Sequence, residues 1–315
     1  PECGPHLTLL AQGAATAAGA LADAVERLLQ GEIVAVKGLG GFQLACDATA
    51  AEAVQRLRER KHRPHKPFAV MVASLEEARL YCEISPEEAA LLTSPQAPIV
   101  LLRRRTPDGA VAQAPVAPEV APNQHTLGLM LPYTPLHHLL LERAPGYPPA
   151  LVMTSGNFSE EPIATANEDA IDRLSELADA FLLHNRAIHI RCDDSVIRAT
   201  DGGVLPLRRS RGYAPYPVPL PFDTPPLLAT GAELKNTFCL ARDAHAFISQ
   251  HVGDLANYDA LRSYEHSIAH MERLFRVTPE IIAHDAHPDY LATRYALRRP
   301  EPRVAVQHHH AHLAS

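Results

Sequence analysis

Leu151-Val152-Met153-Thr154-Ser155-Gly156-Asn157 is an apolar strand that breaks into a small polar turn. Loops at strand ends are where α/β sheets take ligands, and hydroxyl, amide and glycine N–H groups at such a turn suit a phosphate or an adenylate. Strand-like runs recur outward from it, at residues 33–36, 68–72, 99–103, 127–131, 180–183, 196–199 and 204–207. Between them, helical spacing appears at 20–30 and 50–60, with Gly38, Gly40 and Gly41 forming a bend that separates the strand at 33–36 from the second helix. Caps mark further helix starts: Ser74 with Glu77, Ser85-Pro86 with Glu88, Thr134-Pro135, and Asn167 ahead of Glu168-Asp169. The pattern predicts a mixed α/β domain of about 200 residues.

The chain has 315 residues, 46% hydrophobic and 21% charged, and 29 Lys and Arg against 36 Asp and Glu give a net charge of −7. This is a globular composition, long enough for about two domains that need no disulfide or metal staples. No run approaches the roughly 18–20 apolar residues of a membrane span and no leader pattern opens the chain, so a cytoplasmic setting without membrane is expected. Cysteines 3, 46, 82, 192 and 239 are scattered with no CxxC pair, as reduced thiols would be. The acidity argues against a general nucleic-acid grip, though not against local basic patches. The start at Pro1-Glu2-Cys3-Gly4-Pro5 has no Met, so the chain is expected to be cut from something longer.

One such patch crowds the end of the second helix, where Arg56, Arg58, Arg60, Lys61, Arg63 and Lys66 are opposed only by Glu59. Composition alone reads it as a solvated basic face, at a helix end that favours cations but offers an anion nothing. Lysine, however, occurs only at 37, 61, 66 and 235, which makes each ammonium a point charge worth placing. Leu207-Arg208-Arg209-Ser210-Arg211-Gly212 adds guanidinium groups, and by itself reads as a domain edge.

Together these segments resemble the YrdC/TsaC family, whose Lys-x-Arg and Ser-x-Asn signatures stand here as Lys61-His62-Arg63 and Ser155-Gly156-Asn157. Gly40-Gly41-Phe42-Gln43-Leu44-Ala45-Cys46-Asp47-Ala48, Lys66-Pro67 and Asp194-Ser195-Val196 ahead of Leu207-Arg208 match its supporting text, over about residues 15–213. The resemblance implies an α/β fold with a YrdC-like twisted mixed sheet and flanking helices, forming acyl-adenylates from a carbamate-type carboxylate and ATP. It makes Lys61 and Arg63 the catalytic cations, sets Ser155 and Asn157 around the adenylate and Ser195 and Arg208 on the opposite wall, with Mg²⁺ bridging the phosphates. Lys61 is expected to be partly exposed and to contribute little to stability.

Six of the thirteen residues at 214–226 are proline, which predicts an extended linker. Beyond it the sequence predicts strands at 227–229, 237–241 and 246–249 with a tight turn at Arg242-Asp243, a helix at 258–275, and strands at 281–284 and 304–306. The motifs Gly231 to Thr237, Ser249 to Leu255, Asp285 to Tyr290 and Val306 to His312 are similar to the start of the TsaD-like domain, an actin/Hsp70-like (ASKHA) α/β fold, in the HypF carbamoyltransferase family. That resemblance divides the chain into a zinc-finger remnant and linker (1–12), a YrdC-like domain (13–213), the linker (214–226) and a truncated TsaD-like domain (227–315). Cys3 becomes a zinc ligand without its site. Three adjacent histidines near a terminus can be a tag, but this cluster is interrupted by Ala311 and follows an apolar strand. His308 and His312, four apart, share a helix face, and the resemblance makes them a divalent-metal pair while His309 and His310 point elsewhere.

The function implied is formation of carbamoyl-adenylate from ATP and carbamate, itself from carbamoyl phosphate. Transfer to a C-terminal cysteine of the partner HypE would follow, toward the cyanide ligands of [NiFe]-hydrogenases. Two other readings stay open: a threonylcarbamoyl-adenylate synthase for tRNA modification, and a non-catalytic module binding double-stranded RNA.

Overall fold

The computed structural model describes residues 4–105, 116–142, 144–158 and 161–314. The chain divides into two compact units, and the main break falls after Arg208. In the first, twelve strands among the described residues form one mixed sheet: β1 (Leu7–Ala11), β2 (Ala14–Thr16), β3 (Val34–Lys37), β4 (Phe42–Asp47), β5 (Ala69–Met71), β6 (Cys82–Glu83), β7 (Ile99–Arg104), β8 (Thr126–Met130), β9 (Leu151–Ser155), β10 (Ala180–His184), β11 (Val196–Thr200) and β12 (Gly203–Arg208). Their order is β12-β11-β7-β8-β5-β9-β4-β3-β10-β1-β2, with β6 beside β7. The helices are α1 (Ala20–Leu29), α2 (Ala51–Arg60), α3 (Leu75–Tyr81), α4 (Pro86–Leu92), α5 (Pro135–Leu140) and α6 (Asn167–Leu174).

Every residue of β3 is buried, since Val34 and Val36 belong to one core cluster and Ala35 to the other. A strand packed on both faces reads as a continuous apolar run, which makes it legible in sequence. Strand β4 is not legible in that way. It occupies the stretch between the glycine bend and the second helix, and the polar Gln43 breaks its pattern. Phe42, Leu44 and Cys46 nevertheless pack in one cluster and Ala45 in the other, and β4 lies at the sheet's centre between β3 and β9.

The caps at Ser74, Ser85 and Thr134 form as expected, Ser85 within a full capping box. Asn167 is instead the first residue of α6 with Ala166 at the cap, because its Oδ1 accepts from Lys37 Nζ at 2.6 Å. Within residues 1–12, expected as a finger remnant and linker, the linker part needs correction. From Leu7 onward they are sheet, β1 pairing antiparallel with β10 and turning into β2 through Gln12 and Gly13, both with positive φ. Cys3 lies outside the described residues.

In the second unit β13 (Val218–Ala229), β14 (Cys239–Ile248), β15 (Ile281–Asp285) and β16 (Arg303–Val306) form a sheet ordered β14-β13-β15-β16, with α7 (Tyr258–Phe275), α8 (Leu291–Arg298) and α9 (His308–Ala314). The proline-rich linker is therefore corrected to strand from Val218 onward. Proline cannot donate to a ladder, and β13 accommodates its prolines with register shifts between Pro219 and Thr224 and between Thr224 and Leu227. The expected turn at Arg242-Asp243 is likewise a positive-φ irregularity at Asp243 inside one continuous β14. Helix α7 matches its predicted span, capped by Asn257, whose Oδ1 accepts from the N–H groups of Asp259 and Ala260. The unit's core centres on Tyr264, fully buried, edge-on to Phe238 at 5.8 Å and to Tyr295 at 5.4 Å, its hydroxyl donating to the Thr230 carbonyl at 2.9 Å. Chemical denaturation of Tyr264→Ala is expected to show a loss of about 3–5 kcal/mol from the cavity, and Tyr264→Phe about 1 kcal/mol from the lost hydrogen bond.

Candidate functional site

Helix α2 lays Ala53, Val54 and Leu57 on the core and ends in a paired turn: His62 N–H donates to Glu59 O at 3.1 Å and Arg63 N–H to Arg58 O at 3.0 Å, with His62 left-handed at φ 49°. This is the geometry of a Schellman cap, and it reverses the chain between Lys61 and Arg63. The loop beyond is gathered by Arg58, 4% exposed, whose guanidinium donates to the carbonyls of Arg63 (2.7 Å), Pro64 (3.4 Å), Lys66 (3.2 Å), Val120 (3.0 Å) and Glu119 while stacking on Phe68.

Lys61 reaches across to the end of β9. Its Nζ donates to the carbonyls of Ser155 at 2.7 Å and Asn157 at 2.6 Å, with Asn157 Oδ1 at 3.4 Å. The lysine and serine signatures thus meet by direct hydrogen bonds. Arg63 holds the same edge, donating to Thr154 Oγ1 (3.4 Å), Lys66 O (3.2 Å) and Pro67 O (2.6 Å). Gly156 must be glycine: a Cβ there would lie 2.8 Å from Phe42 Cβ and 2.9 Å from Phe42 O, the carbonyl that accepts Gly156 N–H at 2.7 Å.

Beside this turn, Gly40, Gly41, Phe42, Gln43, Tyr133, Ser155, Ile163, Cys192, Asp193 and Asp194 line a pocket. Arg208 Nη1 pairs with Asp193 Oδ2 at 2.6 Å, and Gln43 Nε2 donates to Asp194 Oδ2 at 2.7 Å. Ser195 is wholly buried, its carbonyl accepting from Ile99 N–H at 2.8 Å, so the wall beside Ser155 is formed by its neighbours Asp193 and Asp194. Sequence reasoning did not single out Gln43, Asp193 or Arg58 for these places. The text around residues 40–48 and 194–196 was the available signal for the first two.

The electrostatics are those of crowded cations. Burial, then Arg63, brings the Lys61 amine down to about 7, with Asp193 opposing. Burial, then Arg58 and Arg208, lowers Arg63 to about 10. Burial raises the Asp193 carboxyl, against the pull of Arg208. Lys61 is 2% exposed, which corrects the expectation of a partly exposed cation with little bearing on stability.

In the second unit, α9 places His308 Nε2 and His312 Nε2 3.1 Å apart. His308 Nδ1 stands 2.7 Å from Asp285 Oδ2. A carboxylate there accepts a hydrogen bond from Nδ1–H and so leaves Nε2 without a proton, the tautomer a metal needs. Burial would raise the Asp285 carboxyl, but hydrogen bonds from His308 and the His287 N–H outweigh it and hold it below its ordinary value. Two imidazole nitrogens on one helix face are donors of the type a divalent ion takes, and as they stand they lie within hydrogen-bond distance of each other. Among the described residues no group of three or more His, Cys, Asp or Glu gathers as ligands.

Comparison with known proteins accounts for both units. The sequence model of the Sua5/YciO/YrdC family, described as telomere recombination, matches residues 26–210, and that of the HypF Kae1-like domain matches residues 222–315. The carbamoyltransferase HypF2 of Cupriavidus necator is 50% identical over 94% of this chain and 38% of its own length. The chain belongs to the HypF family. Another HypF, the carbamoyltransferase of Rhodobacter capsulatus, is 46% identical over 100% of this chain and 42% of its own. A crystal structure of full-length HypF in its phosphate- and nucleotide-bound form superposes with a TM-score of 0.91 at 46% identity, covering 99% of this chain and 40% of that one. The chain thus spans about two fifths of the length of these HypF relatives. No helix among the described residues is long and apolar enough to cross a membrane.

With only four lysines, selective ¹⁵N-lysine labelling makes Lys61 separable by NMR. Its amine is expected to titrate near 7, against about 10.4 for a solvated lysine. Between those values the unfolded chain holds the proton and the folded chain does not. Stability relative to Lys61→Met should therefore rise with pH across the window, by at most about 1.4 kcal/mol per pH unit, and flatten below pH 7.

Proposed function

We propose that the first unit activates carbamate with ATP. A carboxylate oxygen of carbamate attacks the α-phosphorus, the bond to the β-phosphate oxygen breaks, and carbamoyl-adenylate and pyrophosphate result. Such a step needs little covalent help from protein, because in-line positioning and screening of phosphate charge carry most of the rate. The observation that carries the reading is the concentration of Lys61, Arg63, Lys66 and Arg208 around two carboxylates, with the Lys61 and Arg63 pKa values depressed as an incoming anion would relieve. In this reading Arg63 and Arg208 meet phosphate and carboxylate charge. Lys61 adds charge while holding the turn, Ser155 and Asn157 bond around the adenylate, and Mg²⁺ arrives with the nucleotide. Carbamate would come from carbamoyl phosphate, and the activated group would pass to a cysteine of HypE through the Kae1-like unit.

Pyrophosphate exchange into ATP tests the first half. The wild-type chain is expected to exchange with carbamate, and Lys61→Met and Arg63→Met to lose at least about two orders of magnitude, the loss typical when a positioned charge stabiliser is removed. Exchange that requires threonine and bicarbonate instead would replace this reading with threonylcarbamoyl-adenylate synthesis.

In the second unit His308 and His312 would hold a divalent ion, which when bound supplies a Lewis-acid centre, and Asp285 keeps His308 in the ligating tautomer. Calorimetric titration with Co²⁺ should show binding weakened about 10–100-fold by Asp285→Asn and still further by His308→Ala or His312→Ala. His309→Ala and His310→Ala should leave it unchanged.

A further inference from the structure

Gln43 lines the pocket with an amide whose chemistry the preceding reading does not use. It sits in β4 directly opposite Ser155 of β9, so the two side chains emerge on the same face of the sheet. The residue is 6% exposed. Its Nε2 is held by the Asp194 carboxylate at 2.7 Å, and because that partner can only accept, the amide orientation is set: Oε1 faces the other way. Oε1 is buried and has no hydrogen-bond partner among the described residues. Leaving such an acceptor unmade costs about 1–3 kcal/mol, so a buried orphan in a pocket wall calls for a donor.

The position of Gln43 narrows which donor. From Gln43 a chain of polar contacts runs through Asp194 to Asp193, whose Oδ1 accepts Asp194 N–H at 2.8 Å, and on to Arg208 at 2.6 Å. Oε1 and Arg208 thus stand at the two ends of one polar chain that runs through Gln43 Nε2, and a small ligand that serves both ends carries an N–H donor beside an anionic oxygen. A primary carbamate does, its amine and carboxylate sharing one carbon, whereas the adenine amine lies a whole nucleoside from the phosphates. The walls are close: a Cβ at Gly40 would lie 2.2 Å from Cys192 O and one at Gly41 2.2 Å from Ile163 Cγ2. They favour an unsubstituted amine over an N-alkylated one.

We infer that Gln43 is a specificity-determining residue whose Oε1 accepts an N–H of the carbamoyl amine. The inference rests on the reading of the site as a carbamate-activating one. It is tested by pyrophosphate exchange with freshly dissolved ammonium carbamate, measuring the half-saturating carbamate and ATP concentrations separately. Gln43→Met removes the acceptor and is expected to raise the carbamate value at least about tenfold, the effect of one lost buried hydrogen bond, with the ATP value within about twofold of wild type. The double variant Gln43→Glu/Asp194→Asn reverses the internal hydrogen bond while keeping an acceptor in the place of Oε1, so it should keep a carbamate value near wild type. It serves as the decisive variant where Gln43→Met fails to fold by its melting curve. An unchanged carbamate value in Gln43→Met overturns the inference, leaving Oε1 as a group that water satisfies. A rise in the ATP value instead assigns the acceptor to adenine and overturns it equally. Failure of the folded double variant to use carbamate does so as well. Wild-type protein that binds ATP yet exchanges nothing with carbamate removes the reading of the site and the inference with it, whereas wild-type exchange with indifferent variants removes the inference alone.

Discussion

The ammonium of Lys61, donating to the carbonyls of Ser155 and Asn157, joins the end of α2 to the end of β9 across more than ninety residues of sequence. Both carbonyls lie where the chain leaves the sheet. A buried carbonyl without a donor is costly, and a compact ammonium with several N–H groups can serve two of them from one point. The same burial that makes these bonds effective penalises the charge, so the interaction that builds the turn also brings the Lys61 amine down to about 7. Arg58 does the complementary work with a planar fork, collecting the carbonyls of the 63–67 loop and of residues 119–120, a task a point charge could not perform.

Around that contact the first unit holds cations closer together than water-exposed side chains would settle. Arg63 feels Arg58 and Arg208, and Lys61 feels Arg63 and Lys66, while Asp193 is the internal counter-charge. The main chain reinforces the arrangement by coming unusually near itself, Gly156 against Phe42 and Gly40 against Cys192, so that backbone rather than side chain forms much of the wall. In the second unit the same economy appears on a smaller scale: one carboxylate, Asp285, orients one imidazole toward another four residues along a single helix.

Local chemistry was legible in the sequence wherever an element's own residues determine it. Strand β3 announced itself as an unbroken apolar run. Helix α7 showed in the helical spacing of Leu261, Ile268, Met271, Leu274 and Phe275, and Ser85-Pro86 with Glu88 wrote a capping box in four letters. The two signatures and the histidine pair were visible too, since each depends on residue types at short fixed spacings.

What stayed hidden depends on partners remote in sequence. Strand β4 exists because β3 and β9 supply its ladder on both sides, and the prolines of β13 are tolerated because β14 shifts register against them. Lys61 looked like a surface cation because nothing in residues 56–66 shows that a turn 94 positions away would cover it. Asn167 looked like a cap until Lys37 claimed its side chain. Gln43 looked like an ordinary polar residue in a glycine-rich bend, and only the pairing of β4 with β9 puts it opposite Ser155 with a buried oxygen. Sequence spacing by itself determined which groups this protein carries and on which local elements. The tertiary structure decided which are buried and paired, because desolvation and hydrogen-bond partnership are properties of the packed chain.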